Sequence, residues 1–153
     1  MIKENLLQET ENCAFRLSGD NANVTLEMIK KLYEEKNSEL YNLPVSFSYE
    51  QIKSGGMLKS QMTDCLIIQN PSHLHDYFIF CIIITKQYNT ALVQLKYYGT
   101  STLTAEWQVA EARKNSGLIG KAIGAIKGFD QASFDEENAY YAMLQETYRA
   151  LFQ

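Results

Sequence analysis

Apolar residues recur at Leu26, Ile29, Leu32, Tyr33 and Leu40, a spacing of three and four that lines one face of a helix. The pattern predicts a helix over 25–40. Asn23 or Thr25 can cap it, because their side-chain oxygens accept from the free N–H groups of a first turn. Pro44 closes the region, since proline disfavours helical backbone in the residue before it. Upstream, the first 20 residues are polar and weakly patterned, with at most a short helix over 2–11, and residues 18–23 read as a loop.

The period then changes from helical to alternating. Val45, Phe47 and Tyr49 alternate with Ser46 and Ser48, which predicts a strand with one buried face. Gly55-Gly56 marks a turn, and a second strand covers 61–69. Residues 70–76 form a loop. The run 77–85 is apolar at every position except its last, so it predicts a strand buried on both faces. Gln87-Tyr88-Asn89-Thr90 reads as a hairpin turn with Asn89 at positive φ, and 91–98 is the returning strand. Each large apolar side chain left in water would forfeit about 1.5–3 kcal/mol. Both faces of the 77–85 strand must therefore be covered, by helices on both sides or by a partner subunit.

Three helical patterns close the chain, over 103–114, over 117–128, and from Ser133 onward. Ser133-Phe-Asp-Glu136 is a capping box, followed by an apolar stripe at Tyr140, Met143, Leu144, Thr147, Tyr148 and Leu151. The whole predicts an α+β fold in one domain spanning 1–153. An N-terminal helix precedes an antiparallel meander sheet of about four strands over 45–98, and two to three C-terminal helices over 102–152 pack on that sheet.

Composition narrows the functional class. The 153 residues are 46% hydrophobic and 21% charged, as in an ordinary globular domain with its own core. A net charge of −4 argues against nucleic-acid binding, which favours a basic domain or stripe. The N-terminus lacks the apolar stretch of a secretion signal. The longest uncharged apolar run has nine residues, against the roughly 17–25 that a membrane-spanning helix needs. Cys13, Cys65 and Cys81 are odd in number and form no C-x-x-C pair, so buried, reduced thiols and a cytoplasmic location are expected.

Two constellations merit chemical attention. Gly117, Gly120, Gly124 and Gly128 fall within an arc of about 80° on a helical wheel, opposite Ile119, Ile123 and Ile126 and flanked by Lys121 and Lys127. Four interior glycines in place of alanine would destabilise a helix by roughly 3–4 kcal/mol. Close backbone packing over the bare face, or Gly117 and Gly128 acting as caps, would explain them. Anion binding or contact with a membrane surface through Gly117, Gly120, Lys121, Gly124 and Lys127 is the functional reading. No phosphate-loop motif is complete, because Gly120-Lys121 is followed by Ala122 and Asn115 stands where the first glycine is required. The membrane version is the thinner one, since interfacial helices favour bulky anchors and many cations.

The second constellation is His73-Leu-His75-Asp76, which places both histidines in one loop. His73 and His75 could ligate a metal, Asp76 could orient or ligate, and a third protein ligand could come from Asp64 or Cys65; a polar loop is the ordinary alternative. The chain also carries ten tyrosines, and Tyr98, Trp107 or Tyr141 would mark an interface if turned outward. No cofactor is indicated. The expected function is that of a small non-catalytic module acting through protein–protein contact, as a homodimer or with another protein. A metal-dependent or other small enzyme using the His73 loop, and an anion- or membrane-surface binder using 113–128, are its rivals.

Overall fold

The computed structural model describes residues 2–3, 8–55, 58–73, 78–99 and 131–153. They form an α+β fold. The strands are β1 (Ile2–Lys3), β2 (Gln8–Ser18), β3 (Ser46–Ser54), β4 (Gln61–Gln69), β5 (Phe78–Gln87) and β6 (Thr90–Gly99), with helices α1 (Leu26–Leu40) and α2 (Gln131–Arg149). The sheet order is β1-β3-β4-β5-β6-β2. β3 to β6 are the expected meander, because short connections join antiparallel neighbours. β2 adds a fifth antiparallel strand along β6, and β1 makes a two-residue parallel contact with β3 at Ile52 and Lys53.

The N-terminal region corrects the sequence reading: it is strand, not helix. Cys13, Phe15 and Leu17 are half-buried and Ala14, Arg16 and Ser18 exposed, an alternation of period two that the flanking polar residues obscure. Thr25 caps α1, its side chain accepting from the Met28 N–H at 3.2 Å. Leu40, expected on the apolar face of α1, is the last residue of the helix and is instead 48% exposed. The start of α2 also differs. It begins at Gln131, so Ser133 lies within its first turn and not at its cap. Among the described residues one helix follows the sheet, and the segments 103–114 and 117–128 lie outside them.

Both helices pack on one face of the sheet. Leu66, Ile68, Phe80, Ile82, Val93 and Leu95 meet Ile29 and Tyr33 of α1 and Tyr141, Leu144 and Tyr148 of α2. The opposite face carries its own buried cluster of Ile52, Cys65, Ile67, Ile79, Cys81 and Ile83. The β5 strand is therefore covered on both faces, as its unbroken apolar run requires. Among the described residues that second cluster consists of strand residues alone.

Tyrosine hydroxyls fix α2 in place. Tyr140 donates to the Pro44 carbonyl at 2.6 Å, and Tyr33 of α1 to the Leu144 carbonyl at 2.7 Å. Tyr148 reaches the carbonyls of Val93 at 2.9 Å and Cys13 at 3.1 Å. Tyr41 bonds the Glu146 carboxylate. The bonds of Tyr33, Tyr140 and Tyr148 satisfy polar groups that would otherwise be expensive to bury, and all of these bonds fix the helix along its axis in a way that apolar contact alone does not.

Candidate functional site

The feature best placed to act on another molecule is the outer edge of β2. Gly19 donates its N–H to the Asn89 carbonyl at 3.2 Å. The β2–β6 register runs unbroken from Glu11 to Ser18, with Ser18 opposite Thr90 and Cys13 opposite Leu95. Antiparallel pairs alternate between bonded and non-bonded positions. Residues 13, 15 and 17 thus share the bonded phase of Gly19 and point their backbone groups at β6. Asn12, Ala14, Arg16 and Ser18 point theirs away from the sheet. Among the described residues no strand lies beyond them. An edge of this length is a row of donors and acceptors suited to another strand.

Beside that edge, on the helix face, lies a concavity of about 400 Å³. Leu17 forms its strand wall, Met28 and Leu32 come from α1, and Leu151 and Phe152 come from the end of the chain. Asp20 and Asn23 stand at its polar side. Phe152 is held by Phe15, ring to ring at 5.1 Å, and Phe15 in turn by Tyr148 at 5.2 Å. The same tyrosine that bonds Cys13 and Val93 therefore shapes the concavity through Phe15. Met28 is 51% exposed, which leaves an adaptable thioether facing solvent there.

The buried tyrosines are unsuited to proton transfer near neutrality. Burial raises the hydroxyl pKa of Tyr33, Tyr140, Tyr141 and Tyr148, so all four hydroxyls stay protonated. Tyr141, a candidate interface ring in the sequence, is fully buried against Phe80, with the Asn70 N–H donating to its hydroxyl at 3.3 Å. Tyr140 and Tyr141 both turn inward, Tyr141 toward the sheet and Tyr140 toward the Pro44 carbonyl.

The remaining sequence candidates separate. His73 ends a single turn of 3-10 helix over Pro71–His73, whereas His75 and Asp76 lie outside the described residues. The two proposed third ligands lie on β4: the Cys65 thiol is buried and donates to the Glu50 carbonyl at 3.3 Å, while Asp64 accepts from Gln51 at 2.8 Å. Among the described residues no three His, Cys, Asp or Glu side chains gather around a metal position. Gly117, Gly120, Lys121, Gly124, Lys127 and Trp107 lie outside the described residues. The Cys65 and Cys81 thiols are buried and Cys13 is half-buried, and none of the three is in a disulfide. No described helix is long and apolar enough to cross a membrane.

The chain matches no protein-family model, no curated protein and no solved structure.

Proposed function

We propose that this protein is a non-catalytic, cytoplasmic interaction module that receives an extended segment of a partner protein along β2. The open β2 edge with an apolar concavity beside it carries this reading. Main-chain bonds to residues 12, 14, 16 and 18 would supply general affinity. A side chain of the added strand, projecting onto the helix face, would fill the space between Leu17, Met28 and Phe152 and supply selectivity. The free thiols suit a reducing compartment. A homodimer would use the same edge, two copies of β2 pairing about a twofold axis.

The test is a backbone substitution. Ala14→Pro or Arg16→Pro deletes an outward N–H and leaves the β6 ladder intact. Pull-down followed by mass spectrometry would identify the partner with the parent chain, and light scattering would detect self-pairing. Loss of the complex in both variants, with folding retained, is the expected result. An undiminished complex would place the contact elsewhere.

A further inference from the structure

The hairpin end of the sheet carries a separate surface. Ser54 pairs with Gln61, and Gln87 with Thr90. Cys65 faces Ile83, and continuing that register by four residues sets Gln61 level with Gln87. The β3–β4 and β5–β6 turns therefore leave the sheet at the same height, about two strand spacings or 10 Å apart. Among the described residues of these turns, Leu58 is 99% exposed and Tyr88 is 102% exposed. Met62, beside the first turn, is 44% exposed.

Tyr88 is also in the wrong backbone region for its type. Its φ is 54°, a left-handed conformation that suits glycine or asparagine and strains a bulky L-residue. The sequence offers Asn89 for that role, yet Asn89 is not at positive φ. A large aromatic thus stands, strained and uncovered, where a glycine would be easier to accommodate. Strain of this kind concentrates at functional positions.

The charge at this end runs against that of the whole chain. Lys53, Lys59 and Lys86 are exposed there, and none of the three makes an ion pair with a described residue. Asp20 is the acid beside the Tyr88 turn, brought there by the Gly19–Asn89 bond. Asp64 lies diagonally across from Lys53 on β4, so among the described residues three lysines stand against two aspartates, a local excess of one positive charge in a protein of net −4.

We propose that this end docks on an anionic lipid bilayer. Leu58 and Tyr88 enter the interface, and Lys53, Lys59 and Lys86 meet headgroup phosphates. Protruding tips need no preformed cavity in a deformable interface. The amphipathic tyrosine ring sits naturally at headgroup depth, and lysine stems extend along apolar surface while the ammonium stays wet.

Co-sedimentation of the full chain tests it, with vesicles of phosphatidylcholine alone and of phosphatidylcholine mixed with phosphatidylserine. Association with the mixed vesicles, little with the neutral ones, and release by high salt are expected. Lys59→Gln and Lys86→Gln should each weaken binding about fivefold. Tyr88→Gly separates function from folding: it should reduce vesicle binding while the chain unfolds at an equal or higher temperature, because the backbone strain is relieved. The proposal is overturned by absence of binding to the mixed vesicles, by equal binding to neutral ones, or by parental binding in a Leu58→Ser, Tyr88→Gly double variant. Ala14→Pro should bind vesicles as the parent does, which keeps this surface distinct from the β2 edge.

Discussion

Replacing Tyr148 by phenylalanine isolates one hydroxyl at the junction of α2, β2 and β6. The side chain is fully buried, and its hydroxyl lies 2.9 Å from the Val93 carbonyl and 3.1 Å from the Cys13 carbonyl. Val93 pairs with Phe15 and Cys13 with Leu95, both in the bonded phase set by Gly19. Each carbonyl thus keeps a ladder partner when the hydroxyl is gone. No acceptor is orphaned, so the loss is that of one net hydrogen bond, about 1 kcal/mol, and not the larger penalty of an unsatisfied buried group. Tyr148→Ala removes the ring as well and should cost about 3–5 kcal/mol. Urea unfolding followed by circular dichroism would read the difference. With a slope of about 2 kcal/mol per molar urea, Tyr148→Phe should lower the midpoint by about 0.5 M. A loss above about 3 kcal/mol for Tyr148→Phe would refute the inference that the ladder satisfies both carbonyls.

Two further outcomes follow from buried polar groups. Asn37 is buried, donates to the Leu43 carbonyl at 2.8 Å and accepts from the Leu43 N–H at 3.1 Å, so it holds the chain as it turns through Asn42 at φ 49°. Asn37→Ala should lower unfolding free energy by about 1–3 kcal/mol; unchanged stability in denaturant would contradict this. The raised pKa values of Tyr33, Tyr140, Tyr141 and Tyr148 mean that the folded state holds protons the unfolded state releases above about pH 10. Their contribution is fully present below that pH and is lost as pH rises toward the folded values. Unfolding should therefore become progressively easier above pH 10 and coincide with tyrosinate absorbance. Ionisation of all ten tyrosines before any loss of structure would count against it.

Much of the architecture was legible because periodicity reports burial directly. The 3.6-residue spacing from Leu26 to Tyr33, the unbroken run in β5 and the stripe of α2 each name a face that must be covered. β2 was hidden because, among its described side chains, Cys13, Phe15 and Leu17 face the core while Ala14, Arg16 and Ser18 are exposed, an alternation too short to stand out in a polar stretch. The site was hidden more completely. Which carbonyls and N–H groups of β2 face outward depends on the phase of its pairing with β6. The concavity exists only because Leu17, Met28 and Phe152, far apart in sequence, close on one another.

The amino-acid sequence by itself determined the alternation of helix and strand, the two-sided burial of β5 and the free, buried thiols, since these depend on local spacing and side-chain polarity. Tertiary structure alone decided that the N-terminal strand joins β6, which backbone groups of β2 point away from β6, and that the β3–β4 and β5–β6 turns leave the sheet at one end. Those are properties of register and of contact between distant segments, and local residue patterns carry no direct record of either.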